Sequence, residues 1–553
     1  MPAHRHHDRR DPGRVSTVRI EQGAVRGAEH DGVHSFLGIP YAADPLGPRR
    51  WAAPAPTPAW DGVREATAFG NSSMQTVRGG WDPVTPESED CLNLNVWTPE
   101  PALGSELPVM VWIHGGGFLN GSSAMPLWSG QLLAKRAVVV VSINYRLGAF
   151  GFLTHPELGA NFGVLDWISA LTWVHTNIAA FGGNPNNITV FGQSAGGAAS
   201  RALLCTPAAR GLFHRAIIQS AGYEDYAVVA SPSYRRSLEA SNGILRCLGG
   251  GDVDQLRDLP AEKIREASFA EAGVMPPPGQ LHTPANLAWY PVPDGDIVTE
   301  DFTGWADDVP IVFGTTQDEA RLFHKPDGLD APDFRSAADV YTRHTLEIMA
   351  QVMGGRRADD ILAHFASRGL TPYEALTELD TTSVWHEPAL ASYRRYAALP
   401  GRTAYNYRFA RVSPGARRSG LLASHCAELA YLFGPITPGD TYDDADVYVG
   451  ETVQHAWSEF ARTGVPRSPD GTAWAPCTTT DPQYTVVNDQ TSSVPLEITP
   501  VCEMINSQRQ QDDQIPSTPI AGNDQLAAPG FVVALKLGER CDGVIERHDL
   551  RDR

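Results

Sequence analysis

Short unbroken apolar runs punctuate this chain, and between them apolar residues recur every three or four positions. "LPVMVWI" (107–113) and "AVVVVSI" (137–143) are runs of this first kind. Brief, Val/Ile-rich runs fit strands buried on both faces. Between 163 and 179, Val164, Ile168, Leu171, Val174 and Ile178 recur at helical spacing and predict a helix. Next come "ITVFGQ" as strand, a helix opening in "AGGAASRALL", and "RAIIQS" as strand. This alternation predicts an α/β fold: a mostly parallel central sheet with helices on both faces.

Before this region, "VRIEQGAVRGA" and "VHSFLGIPYA" read as an N-terminal hairpin region. After it, "VPIVFGTT" and "TAYNYRFA" read as strands, and "ETVQHAWSEFARTG" as a late helix. Residues 331–400 read as largely helical, so the sheet is expected to carry large helical insertions. From about 506 the composition turns to Gln, Asp, Pro, Ser and Gly, as in a linker. The expected organisation is a disordered leader over 1–14, one α/β domain over 15–505, and a linker and tail of unassigned role over 506–553.

The bulk properties narrow the function. A formal charge of −20 over 553 residues supplies no basic footprint for nucleic acid, and it disfavours an anionic membrane surface. No apolar run reaches the roughly 20 residues that span a bilayer. The polar start "MPAHRHHDRRDPGRV" has no apolar signal core, so the cytosol is the expected compartment. The seven cysteines are scattered, odd in number and without a C-x-x-C pair, which predicts reduced thiols and no zinc site.

One stretch concentrates the chemistry. "VFGQSAGGAAS" (190–200) surrounds Ser194 with Gly192, Ala195, Gly196 and Gly197. Glycine allows tight backbone turns and close chain approach. G-x-S-x-G between a strand and a helix is the nucleophile elbow of an α/β-hydrolase. Upstream, "VWIHGGGFLNG" (111–121) sets a glycine run directly after a buried strand. Such a run exposes N–H groups able to stabilise the oxyanion of acyl transfer. Gly116 and Gly117, with Ala195, are the expected donors. A serine nucleophile needs a base, and the base an orienting acid, in the order Ser, acid, His. "VFGTTQDEARLF" offers Asp318 and Glu319 after a strand. His425, in "ASHCAELAYLFG", sits on a polar loop before a helix. His324, His344, His364, His386, His455 and His548 also follow the acids, mostly in helical patterns.

Beyond these motifs, "FLGIPYA", "SEDCLNLNVW", "NYRLGAFGFL", "NFGVLDW", "GLFHRAIIQSAG", "GTTQDEA" and "HCAELAYLFG" make the chain resemble the type-B carboxylesterases, from about 15 to 505. The resemblance implies the α/β-hydrolase fold, Ser194 as nucleophile, Glu319 as the acid, and His425 as the base. It implies Ser220 as a serine supporting this network, a structural role for Glu428, and a small-molecule ester as substrate, with no metal or cofactor. Trp81, Gln193 and Phe118 are the expected pocket residues, Trp81 at the spacing at which cholinesterases receive quaternary ammonium groups. The sequence departs from the family in three places. Ser73 stands where a cysteine would pair with Cys91, which leaves the 70–91 loop unbridged and held by packing. Trp167 replaces a usual glutamine, and Gln193 a usual glutamate. A silent binding module, or a hydrolase of amides, carbamates or lactones, uses the same scaffold; the oligomeric state is not encoded in these motifs.

Overall fold

The structure is a computed structural model. It describes residues 15–75, 83–221, 234–250, 252–270, 288–299, 309–324 and 354–513, with isolated positions between 343 and 351. Its frame is one sheet of thirteen described strands. These are β1 (Val15–Ile20), β2 (Gly23–His30), β3 (Val33–Pro40), β4 (Val63–Glu65), β5 (Asn93–Thr98), β6 (Leu107–Ile113), β7 (Val139–Ile143), β8 (Gly183–Gln193), β9 (Arg215–Gln219), β10 (Ile311–Thr316), β11 (Ala404–Phe409), β12 (Gln483–Val487) and β13 (Ser492–Pro495). The spatial order is β1-β2-β3-β5-β7-β6-β8-β9-β10-β11-β12-β13, with β4 on β2. The run from β7 to β12 is parallel, and both flanks are antiparallel except for β4, which runs parallel to β2. This is the α/β-hydrolase arrangement expected of the alternating pattern.

The central strands are apolar on both sides because both sides are covered. In β6, Val109, Val111 and Ile113 enter one core, whereas Met110 and Trp112 enter the other. Helices α1 (Phe162–Asn177) and α2 (Ala195–Leu203) pack into the first core, through Val164, Leu171, Val174, Ala198 and Ala202. Helices α4 (Ala427–Phe433) and α5 (Asp444–Thr463) pack into the second, through Leu429, Val449, Val453, Trp457 and Phe460. A third cluster is built from helical insertions and includes Ile361, Leu379 and Trp385. It also receives Val501 and Ile505 of a helix over Pro500–Asp513. That helix runs through the position at which the composition turns linker-like. Helix α3 (Glu387–Ala397) follows a π-helical turn, Thr381–His386.

Two expectations need correction. Cys91, Cys205, Cys426, Cys477 and Cys502 form no disulfide, but Cys247 is disulfide-bonded, so the reading of seven reduced thiols does not hold there. The loop after Gly70 is held by more than packing. Ser73 donates to the Tyr145 carbonyl at 2.5 Å, Ser72 to Ser122 Oγ at 2.9 Å, and Gln75 to the Gly121 carbonyl at 3.0 Å. Cys91 is buried beside Ser73, and burial pushes its thiol up to about 12 while the Ser73 hydroxyl pulls it the other way. Trp167 fills an aromatic cluster with Tyr145, Phe118 and Phe152. Among the described residues no helix is long and apolar enough to cross a membrane.

Candidate active site

Ser194 lies between the last residue of β8 and the first of α2, with φ 57° and ψ −127°. A non-glycine residue held in this sparsely populated region costs on the order of 1–3 kcal/mol. Its surroundings hold it there. Ser194 N–H donates to the Gln219 carbonyl at 2.9 Å, and its own carbonyl accepts from Ala198 N–H at 2.9 Å. The small neighbours are obligatory. A Cβ on Gly196 would lie 1.9 Å from the Ile113 carbonyl oxygen, and one on Gly192 would lie 2.4 Å from Gly196. Strand β6, the turn and α2 close on one another with no room for a methyl group. The serine alone of this turn is half-buried; Gln193 and Ala195 are buried.

The glycine run folds beneath this turn. Gly116 and Gly117 have φ of 112° and 61°, and a Cβ on Gly115 would lie 2.6 Å from the Gln193 carbonyl. Ala195 opens α2, so its N–H has no acceptor within the helix. His114, just before the run, is buried and stacked on Tyr145 at 4.6 Å, and burial lowers its pKa to about 4. It is therefore a neutral strut under the loop.

Asp318 and Glu319 point in different directions. Glu319 is fully buried and its Oε2 lies 2.6 Å from His425 Nδ1. Its Oε1 accepts from Thr316 N–H at 2.7 Å, which locks the carboxylate. The backbones reinforce this contact, His425 N–H donating to the Glu319 carbonyl at 3.2 Å. Asp318 turns to the same loop but binds Ala423 N–H at 3.2 Å. Of the other described histidines, His324 pairs with Asp380 and His386 with the Thr316 carbonyl.

The far nitrogen of His425 faces Gln193, whose Nε2 is 3.1 Å from His425 Nε2. The imidazole edge thus meets the residue adjoining Ser194. Among the described residues Ser194 Oγ makes no direct hydrogen bond to His425, a contact that often tightens only with substrate bound. Ser220 has φ 53°, its N–H donates to the Gly314 carbonyl at 2.7 Å, and its buried Oγ has no partner among the described residues. Phe118 is 1% exposed and packs against Phe152, Trp167 and Tyr290. Trp81 lies outside the described residues.

Three neighbours of His425 are absent from the sequence reading. Phe323 and Trp385 stack on each other at 5.5 Å, and both face the imidazole, at 5.2 and 5.6 Å. Cys426 Sγ lies 3.1 Å from Gln193 Oε1. Glu428 is fully buried; burial and the charge of Glu319 raise its pKa to about 7. Its Oε1 accepts from Gln219 Nε2 at 3.2 Å, while its Oε2 has no partner among the described residues.

A buried carboxylate–imidazole pair thus reaches, on this sheet, the residue that precedes a strained serine. The model of the carboxylesterase family matches residues 14–511, and the chain belongs to that family, a hydrolase with the α/β-hydrolase fold. Para-nitrobenzyl esterase of Bacillus subtilis (strain 168) is 34% identical over 478 residues, 81% of this chain and 90% of that protein. Phenmedipham hydrolase of Pseudarthrobacter oxydans is 36% identical over 501 residues, 86% of this chain and 96% of that one. The solved structure of a PNB esterase superposes with a TM-score of 0.71 at 30% identity, covering 88% of this chain and 99% of its own.

Proposed function

We propose that the chain hydrolyses small carboxylic esters through an acyl-enzyme on Ser194. The observation that carries this reading is the buried pair of His425 Nδ1 and Glu319 Oε2 at 2.6 Å, with the opposite ring edge turned to the residue before Ser194. Glu319 fixes the tautomer that leaves Nε2 free to take a proton. Ser194 Oγ attacks the ester carbonyl as His425 accepts its proton. The N–H groups of Gly116, Gly117 and Ala195 stabilise the oxyanion. His425 returns the proton to the departing alcohol, then activates water to release the acid. Phe323 and Trp385 form an apolar wall beside the imidazole, which suits the uncharged parts of an ester. The test is a panel of p-nitrophenyl esters from acetate to decanoate, with a choline ester and a carbamate, given to the wild type and to Ser194→Ala. Turnover of the esters by the wild type and its loss in the variant are expected. No ester turnover in folded wild-type protein would favour a binding module.

A further inference from the structure

The contact at His425 Nε2 carries information about which protonation state the resting site selects. Among the described residues, the polar group recorded at that nitrogen is the Gln193 carboxamide. The other end of the amide, Oε1, faces Cys426 Sγ at 3.1 Å. Cys426 is half-buried, and desolvation together with the charges of Glu428 and Glu319 holds its thiol pKa well above the usual value. It is therefore a thiol with one hydrogen to give, and it donates to Oε1. With Oε1 committed there, the NH₂ end must face the ring. An amide NH₂ only donates, so Nε2 must be the acceptor, and the ring proton sits on Nδ1 against Glu319. An imidazolium would set N–H against N–H at this contact. Reversing the amide to avoid that would forfeit the thiol's bond to oxygen.

We infer that Gln193 is a positioning residue that holds His425 in its neutral, Nδ1-protonated form, with the polarity of its carboxamide set by the Cys426 thiol. The inference rests on the reading of His425 as the general base. A glutamate at 193 would act in the opposite sense: ionised, it only accepts, and so pairs with the imidazolium. The remaining ionisable groups around the ring do not reproduce this role. Glu319 and Asp318 approach from the turn after β10, on the Nδ1 side and at Ala423. Glu428, on α4, is held by Gln219. His386, beside Trp385, is kept neutral by burial and bonded to the Thr316 carbonyl, and His324, beside Phe323, is paired with Asp380. Ser194 Oγ must take the place of the amide at Nε2 during turnover, so Gln193 guards the base between cycles.

The test is the pH profile of kcat/KM for p-nitrophenyl butyrate, which reports ionisations of the free enzyme. It is measured on the wild type, Gln193→Met, Gln193→Glu, Cys426→Ser and His425→Ala. Methionine keeps the volume and removes the donor without adding a charge, so it serves even where the glutamate variant fails to fold. The acid limb is expected to move to higher pH by about half to one unit in Gln193→Met, the shift from one neutral hydrogen bond made to a single protonation state. It should move further in Gln193→Glu and stay in place in Cys426→Ser, whose hydroxyl still donates to Oε1. A limb that stays in place in Gln193→Met, with activity lowered equally at every pH, would overturn the inference and leave the base assignment standing. Full ester turnover by His425→Ala would overturn both.

Discussion

Replacing Glu428 by glutamine should change how stability depends on pH, not merely its level. The carboxyl is fully enclosed beside Glu319, and its pKa is raised from 4.5 to about 7. One unit of pKa difference between folded and unfolded chain is 1.36 kcal/mol, so this group contributes about 3 kcal/mol. The sign follows from proton binding. Between pH 4.5 and about 7 the folded chain holds the Glu428 proton while the unfolded chain has released it. Its contribution is thus fully present below the unfolded pKa and lost as pH rises through the folded one. The carboxamide of Glu428→Gln mimics the protonated acid at every pH and titrates at none. With an unfolding entropy of about 2 cal/mol/K per residue over some 500 residues, 3 kcal/mol corresponds to about 3 °C in Tm. Calorimetry of the wild type and Glu428→Gln at pH 5 and pH 8 reads this directly. The melting temperature of the variant relative to the wild type should rise by about 3 °C between the two conditions. A difference that is the same at both would refute the picture of a buried acid held protonated.

Two further outcomes follow from the same geometry. Glu319→Gln keeps the shape but loses the charge that fixes the His425 tautomer, so kcat should fall by about 10³–10⁴ with little change in KM in a p-nitrophenyl ester assay. Ser73→Cys should form a disulfide with Cys91 under oxidising conditions, because the two residues line the same small cavity. Mass spectrometry would then find the protein two hydrogens lighter and neither thiol alkylated, whereas two free thiols would contradict the adjacency.

Much of the site was legible because steric necessity writes itself into composition. The glycines at 192 and 196 stand out in the sequence for the reason the structure gives: a methyl at either would strike backbone. The parallel core was equally plain, its strands being apolar on both faces. Strand β5 was not, since "NLNVWT" carries Asn93 and Asn95 inside a fully buried strand. These amides are tolerated because other segments satisfy them; Asn95 donates to Ser123 and Ser142 Oγ, both at 3.0 Å. The polar end of the last helix hid its extent, because its buried anchors in the third core, Val501 and Ile505, both lie in its first half. Asp318 and Glu319 are adjacent in sequence, and only the turn they lie on determines which one points at His425. Phe323, Trp385 and Cys426 were missed because nothing local marks them. They reach the imidazole through the packing of helical insertions and the left-handed turn at Cys426, φ 69°.

The central claim is that Ser194 is the nucleophile activated by His425. The most direct measurement is covalent labelling with an organophosphonate ester, followed by peptide mass spectrometry. A single adduct on Ser194, forming in step with the loss of esterase activity and absent from Ser194→Ala, is the predicted result. An adduct on another residue, or turnover by Ser194→Ala near that of the wild type, would contradict it.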